Sequence, residues 1–330
     1  MKNLRIFLMV ALILVVFVGF SDNSSARTDA VAYWQFDEGE GNTTTDSSEN
    51  NNNGTLQYDT KWVNGTNGNA LEFDGVDDYV EIADSDSLDL GAKLTFSAWI
   101  KLDSFPDNDR ASVILSKYDS LDNQRSYMFF IRNTNNQISL RAVVSDGTDS
   151  DGGKCNYDSI YPFKIGIFYH VAAVYNNDAG DSNRWHLFVN GTEIENTVIS
   201  ENSILPKNSK APLAIGKLFD GEKPSEPKHF FNGVIDEVII WDRNLSSDEI
   251  LNVYDGNYIP PTPPCQNGDT KIAEDGCNQC ICSNEEWACT EVDCNPDDNN
   301  DDDSDAISVP SISLVSSIAA IGIIALRRRY

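Results

Sequence analysis

Residues 94–102 read Leu94-Thr95-Phe96-Ser97-Ala98-Trp99-Ile100-Lys101-Leu102, and their character alternates without a break. Leu94, Phe96, Ala98, Ile100 and Leu102 fall on one side; Thr95, Ser97, Trp99 and Lys101 fall on the other. A period of two belongs to a strand, whose successive side chains point to opposite faces. One apolar and one mixed face predict a half-buried strand of an antiparallel sheet. Similar short runs lie at 79–82, 126–132, 138–144, 168–175, 185–189 and 234–241. Turn-forming pairs such as Asp74-Gly75 and Asn190-Gly191 lie between them, and Asn-Gly between two strands signals a hairpin. No helical period of useful length occurs before residue 246, where Ser246-Ser247-Asp248-Glu249 predicts a capping box and a short helix ending near Tyr254. Many strands with almost no helix define an all-β fold, a two-sheet antiparallel sandwich of the jelly-roll kind. By length, residues 30–255 form one large domain.

The ends of the chain set the compartment. Lys2 and Arg5 precede an apolar run from Ile6 to Phe20, and Ser24 and Ala26 follow at cleavage-site spacing. Residues 1–26 therefore read as a secretory signal peptide, with an uncleaved membrane anchor as the alternative. Residues 256–264 hold Pro260, Pro261, Pro263 and Pro264 and predict an extended, stiff linker. Residues 295–305 hold six aspartates between Asp297 and Asp305, a stretch that cannot bury apolar area and reads as a disordered spacer. Residues 306–330 end in an apolar run and Arg327, Arg328 and Arg329. Basic residues flanking a span stay inside, so the rest of the chain faces outward. The acidic spacer, Val309-Pro310-Ser311, apolar run and basic cluster also resemble the layout of surface-sorting tails. Both a single-span anchor and a cleaved sorting tail fit. The expected location is the cell surface, with the main domain extracellular.

The formal net charge is −28. It excludes nucleic acid and anionic membrane surfaces as partners, and suits a solvated surface protein, a salty habitat or calcium binding. Of seven cysteines, six fall between Cys265 and Cys294, which in an exported chain reads as disulfides. Cys155 lacks a partner in its own domain and is expected as a free thiol in or under a loop, or in a bridge to another chain. Sequons at Asn42, Asn53, Asn64, Asn190 and Asn244 are potential glycosylation sites.

Several short blocks carry a resemblance. They are Trp34-Gln35-Phe36-Asp37-Glu38-Gly39, Asp46-Ser47-Ser48, Asn69-Ala70-Leu71-Glu72-Phe73-Asp74-Gly75, Asp77-Asp78-Tyr79-Val80, Phe96-Ser97-Ala98-Trp99-Ile100-Lys101, Tyr169-His170-Val171-Ala172, Leu187-Phe188-Val189-Asn190-Gly191 and Phe231-Asn232-Gly233-Val234-Ile235-Asp236-Glu237-Val238. In this order they resemble the concanavalin A-like, laminin-G-type jelly rolls. That resemblance implies a sandwich with a concave face that binds glycans or proteins, and calcium as a cofactor of many members. Calcium takes six to eight oxygen ligands from loops. Asp37, Asp46 and Asp236 are the candidates, because the first and last strands of such sandwiches lie close together; the alternative is that these acids satisfy turns and caps. Sugar rings stack on aromatic faces, and Trp62, Trp99, Tyr118, Tyr157 and Tyr161 are candidates in loops or at outward positions. Glycoside hydrolysis needs two carboxylates flanking the bond. The nearest pair is Asp236-Glu237, whose side chains should point to opposite faces of a strand. His170, His186 and His229 have no metal-ligand spacing, and His170 reads as a core residue. The domain is therefore expected to be non-catalytic.

The cysteines of the small module are Cys265, Cys277, Cys280, Cys282, Cys289 and Cys294. Six cysteines leave fifteen pairings open, and Cys277-Asn278-Gln279-Cys280 admits zinc as an alternative to disulfides. Cys277-Asn278-Gln279-Cys280-Ile281-Cys282 and Trp287-Ala288-Cys289-Thr290 resemble the pacifastin family of small serine-protease inhibitors. The resemblance implies the disulfides Cys265-Cys282, Cys277-Cys294 and Cys280-Cys289, and an inhibitory bond at Glu291-Val292. Trypsin- and chymotrypsin-like pockets take basic or large apolar residues, so an acidic Glu291 would be desolvated there without a partner. Residues 265–294 then either inhibit a Glu-preferring extracellular protease or act as a spacer. The first reading of the chain is a surface adhesin or carbohydrate-binding protein whose partner is a polysaccharide or surface protein. The others are a tethered protease inhibitor, a polysaccharide-degrading enzyme and a structural surface-layer component.

Overall fold

The structure is a computed structural model that describes residues 29–119, 123–148, 151–180, 183–219, 229–257, 270–272, 279–283 and 286–289. The predicted signal peptide, acidic spacer and C-terminal anchor lie outside the described residues, as do nearly all of the linker, Glu291-Val292, and Cys265, Cys277 and Cys294. The chain divides into two units, Met1–Thr262 and Pro263–Tyr330.

In the first unit the strands are β1 (Ala32–Trp34), β2 (Thr43–Thr44), β3 (Gly54–Gln57), β4 (Lys61–Asn64), β5 (Asn69–Asp74), β6 (Tyr79–Ile82), β7 (Lys93–Leu102), β8 (Ala111–Asp119) and β9 (Gln124–Thr134). They continue with β10 (Gln137–Ser145), β11 (Lys154–Ile160), β12 (Phe168–Asn176), β13 (Trp185–Val189), β14 (Thr192–Ile194), β15 (Thr197–Glu201), β16 (Leu213–Ile215) and β17 (Asn232–Trp241), before α1 (Ser247–Tyr254). An eight-stranded sheet runs β14-β13-β12-β7-β17-β5-β4, with β1 also on β17; a nine-stranded sheet runs β15-β11-β10-β9-β8-β16-β6-β3-β2. The strand ladders of both sheets are antiparallel, so the first unit is an all-β two-sheet antiparallel sandwich.

The alternation of residues 94–102 places all five apolar side chains in the core between the sheets. Phe96 meets Tyr127, Phe129 and Trp185 there, with ring centroids 5.2, 6.2 and 6.4 Å apart. The opposite face of β7 is less exposed than a half-buried strand predicts. Thr95 and Ser97 are buried as well. The hydroxyl of Thr95 donates to the Arg243 carbonyl and accepts from the Leu245 amide, and Ser97 hydrogen-bonds with buried His170 at 2.7 Å. The reason is α1. Its Ile250 and Val253 join Ala172, Val174, Phe188, Ile239 and Trp241 in a second apolar cluster on the outside of the eight-stranded sheet. The predicted capping box is present, with Ser246 and Glu249 bonded reciprocally. Asn190 and Gly191 both take positive φ, 49° and 71°, as a two-residue turn from β13 to β14 requires.

Two elements differ from expectation. Cys155 is free, but it lies on β11 facing the core and not in or under a loop. Burial pushes its thiol up to about 12, so it stays protonated. Lys117 on β8 is fully buried, and its ammonium pairs with Asp84, lies 3.5 Å from Asp89 and donates to the carbonyls of Ser209 and Ala211 at 2.6 and 3.1 Å. It ties β8 to the segments on either side of it.

In the second unit β18 (Thr270–Ile272), β19 (Gln279–Ser283) and β20 (Glu286–Cys289) form a three-stranded antiparallel sheet, with Cys280 opposite Cys289 in register.

Removing one partner of a buried ion pair leaves the other charge desolvated. Lys117→Ala is expected to lower the unfolding free energy by about 3 kcal/mol, read as a shift of the urea midpoint. A midpoint within error of wild type would show that the ammonium contributes no net stability.

Candidate functional site

The outer faces of the two sheets differ in what covers them. On the eight-stranded sheet, α1 carries Tyr254 onto the Trp99 ring, with centroids 5.5 Å apart and planes 27° from parallel, and His170 meets Trp99 edge-on at 5.5 Å. The predicted ligand platform Trp99 is thus an anchor for α1.

On the nine-stranded sheet, the outward side chains of β9, β10 and β11 form a grid set by the ladder register. Arg132 lies opposite Ser139, Phe130 opposite Arg141, and Met128 opposite Val143. Arg141 in turn lies opposite Asp158, and Val143 opposite Asn156. Apolar Val113, Phe130 and Val143 form the floor, and the Arg141 guanidinium lies 6.0 Å from the Phe130 ring centre. Arg141 Nη2 donates to Asp158 Oδ2 at 2.9 Å.

Several polar atoms on this grid have no partner among the described residues. Ser126 Oγ, Arg132 Nε, Ser139 Oγ, Arg141 Nε, Asn156 Oδ1 and Asp158 Oδ1 are buried and have no hydrogen-bond partner among the described residues. Buried polar atoms in folded proteins are nearly always satisfied, and each exception calls for a cause. These six lie on three adjacent strands around an apolar floor, with Ser126 and Ser139 themselves buried and Arg132, Arg141, Asn156 and Asp158 partly exposed. At one end, Tyr118 lies beneath the Arg125 guanidinium at 6.0 Å. On the same side, next to β8, Lys217 sits 4.3, 4.7 and 5.5 Å from the rings of Tyr79, Phe219 and Phe230, so this protein's own cation occupies those faces.

The other sequence candidates fall elsewhere. Tyr157 is fully buried in the core and Tyr118 is buried on the outer face, so neither is at an open position; their strands, β11 and β8, lack clear alternation in sequence. Tyr161 is half-buried against Phe163 and Tyr169. Trp62 is half-buried on β4 and donates from Nε1 to the Gly41 carbonyl at 2.9 Å. The residues of the grid went unnoticed as a site because no motif marks them. The period of two in 126–132 and 138–144 does assign Ser126, Arg132, Ser139 and Arg141 to one side; only the pairing of β9 to β10 to β11 brings them together.

The three aspartates proposed for calcium do not converge. Both carboxylate oxygens of Asp46 are engaged: Oδ1 accepts from the amides of Tyr33 and Ser48, and Oδ2 from the Ser48 hydroxyl and the Asn52 amide. Asp46 is a turn residue. Asp37 accepts from the Asn69 amide at 2.8 Å. Asp236 is fully buried, and its Oδ2 accepts from the Thr66 amide and hydroxyl at 2.7 and 2.8 Å. The expected divergence of Asp236 and Glu237 is corrected by a bulge. Glu237 takes φ +50°, and the register of β17 against β7 jumps between Asp236 and Ile239. Both carboxylates therefore reach the same turn, with Asn67 Nδ2 donating to Glu237 at 3.4 Å and the Tyr33 hydroxyl donating to its other oxygen. Asp236 Oδ1 is buried and has no hydrogen-bond partner among the described residues, while the Thr66 amide and hydroxyl donate to the same carboxylate. Among the described residues, Asp74, Asp77 and Asp78 form the group of three carboxylates whose oxygens lie within 4.8 Å of one another, and they could hold a metal ion. Asp78 already accepts the Asp59 and Asp74 amides.

With this geometry in hand, the chain can be placed: it belongs to the concanavalin A-like lectin/glucanases superfamily, whose family model matches residues 74–251. The fold is similar to domain 4 of AbnA, an extracellular GH43 arabinanase of Geobacillus stearothermophilus, solved with arabinotriose, at 17% identity and TM-score 0.50 over 68% of this chain and 98% of that one. It is also similar to the receptor-binding domain of a botulinum neurotoxin C/D mosaic serotype, at 16% identity and TM-score 0.52 over 70% of this chain and 52% of that one. A third likeness is the binding domain of botulinum neurotoxin DC in complex with SialylT, at 14% identity and TM-score 0.51 over 74% and 54%. The chain thus spans about half the length of these neurotoxin domains. At such identities the likeness is one of fold. No curated protein sequence matches the chain. Among the described residues no helix is long and apolar enough to cross a membrane.

Burial pushes the Asp236 carboxyl up to about 7 from an ordinary 3.8; the Thr66 hydrogen bonds oppose this, and the charge of Glu237 adds to it. The folded state then binds more protons than the unfolded state between these values, so stability falls as pH rises from about 4 to about 7. Asp236→Asn should remove this slope. In chelator, the variant's urea midpoint is expected to exceed wild type at pH 8 and to match it near pH 4. A parallel pH dependence in both proteins would assign the slope to other groups.

Proposed function

We propose that this chain is a cell-surface binding protein whose sandwich domain holds a carbohydrate on the outer face of the nine-stranded sheet. The observation that carries this reading is the mixed outer face of β9, β10 and β11, where the partly exposed side chains of Arg132, Arg141, Asn156 and Asp158 surround Phe130 and Val143. Sugars offer hydroxyl donors and acceptors around an apolar ring face, the complement of such a grid. The oligosaccharide complexes of two similarly folded domains support the choice of ligand class.

In this reading the domain is non-catalytic. Asp236 and Glu237 share a turn, but Asp236 is fully buried and the backbone of Gly65 packs against its carboxylate so closely that a Cβ would not fit. No sugar ring can enter between them. In this reading calcium would be held by Asp236 with Asp37 or Glu237 around residues 64–69, and would tie the last strand to the turn before β5. The extracellular location and anchor rest on the sequence of the two ends.

A second reading has its own support. The pacifastin-like spacing of residues 265–294 expects Cys280 to bond Cys289, and the register of β19 and β20 sets these residues opposite each other, a separation that a disulfide can span. The small unit would then be a tethered serine-protease inhibitor module with its bond at Glu291-Val292.

Residues 27–255 are expected to be retained on one class of polysaccharide in a pull-down panel; retention lost in chelator would add calcium dependence. Failure on every glycan would transfer the reading to a protein partner and to the inhibitor module. Within the site, Ser139→Ala removes an unsatisfied buried hydroxyl without adding volume. It should keep or raise stability, by up to about 1 kcal/mol, while weakening glycan binding several-fold. A destabilised variant with intact binding would make the hydroxyl structural.

A further inference from the structure

Six arginines fall among the described residues: Arg110, Arg125, Arg132, Arg141, Arg184 and Arg243. Two serve the scaffold. Arg184 donates to the Glu201 carbonyl at 2.8 Å, and Arg243 pairs with Asp29 and Glu249, both at 2.8 Å. Arg132 and Arg141 instead stand on the polar grid, on neighbouring strands.

Their state is unusual for this chain. Asp and Glu outnumber Lys and Arg by 52 to 24, so a carboxylate beside each guanidinium would be the default. Arg141 has one, Asp158, and its Nε remains without a partner. Arg132 has no hydrogen bond or ion pair among the described residues; its Nε is buried, and the unpartnered hydroxyl of Ser139 lies across the ladder. Burial lowers the guanidinium's pKa from its ordinary value and the neighbouring charge of Arg141 acts in the same direction, while Asp109 and Asp158, neither in contact with it, oppose the shift. A half-buried guanidinium with no direct hydrogen bond leaves donors unspent, which is costly. A guanidinium presents a planar fork of donors that matches a carboxylate or sulfate.

We propose that the carbohydrate held on this face is anionic, and that Arg132 and Arg141, with the Ser139 hydroxyl, receive its carboxylate or sulfate group. This rests on the carbohydrate-binding reading and adds the charge class of the ligand. A uronate and a sulfate ester present the same chemistry to the site. The net charge of −28 opposes dense polyanions at long range, but that field is screened beyond about 8 Å at physiological salt. The fitting ligand is therefore a short or sparsely charged oligosaccharide.

The test titrates the full chain calorimetrically with three trisaccharides of one backbone: neutral galactose, galacturonate and sulfated galactose. Wild type is compared with R132Q and R132K. At least one charged trisaccharide should bind about tenfold more tightly than the neutral one, and the better of the two identifies uronate or sulfate. R132Q should remove most of that advantage, weakening the charged sugar about tenfold and the neutral sugar less, and R132K should fall between. Arg132 holds no structural partner, so unchanged melting of R132Q is expected and keeps the comparison interpretable. Equal affinity for neutral and charged sugars, or an unchanged ratio in R132Q, overturns the charge assignment and leaves carbohydrate binding standing. If none of the three binds and a neutral polysaccharide panel also fails, the carbohydrate reading falls and this inference falls with it.

Discussion

The last strand of the domain, β17, is the constraint on which the rest depends. It lies at the centre of the eight-stranded sheet, between β7 and β5, and it also pairs with β1. Ala32 meets Ile240 across that ladder, about two hundred residues away in the chain. The eight-stranded sheet cannot be completed until its C-terminal strand arrives, so the loop-closure entropy of nearly the whole domain must be overcome before its central pairings form. The apolar residues of β17 then close both the inter-sheet core, through Ile235, Val238 and Ile240, and the outer cluster under α1, through Ile239 and Trp241.

The same strand gives the domain its asymmetry. Because both sides of β17 are apolar, the outside of the eight-stranded sheet needs a cover, and α1 supplies it directly after the strand. Trp99 and His170 are absorbed into that junction. The nine-stranded sheet faces no such demand on β9, β10 and β11, whose outer residues mix Phe130 and Val143 with arginine, serine, asparagine and aspartate. Polar side chains without a hydrogen-bond partner among the described residues collect on that sheet.

Much of the fold was legible because it is written in local period. The alternation at 94–102, the Asn190-Gly191 turn and the Ser246 capping box each predict what the structure contains. Strands β8 and β11 were less visible. Residues 112–115 of β8 are buried without alternation, across a register shift, and β11 hides its period behind Cys155, Tyr157 and Ser159, a polar-looking inward set. The site was less legible for a different reason. Asp37, Asp46 and Asp236 have the right residue type, but which oxygens stay unspent depends on turns that bring Tyr33, Ser48, Asn52 and Thr66 to them. The bulge at Glu237 reverses a simple parity rule, and no residue type announces it. The grid joins segments whose order in the sheet only the fold determines.

The pairing of β1 with β17 also fixes where the chain enters and leaves. The domain begins and ends on neighbouring strands, and Arg243, just after β17, grips Asp29, just before β1. The chain then crosses the outside of the sheet as α1, whose Leu251 and Tyr254 lie against Gly191 of the β13–β14 turn. The clasp at Asp29 and Arg243 and this strap together hold down both margins of the sheet, so a cut within the strap would loosen the margin far from it.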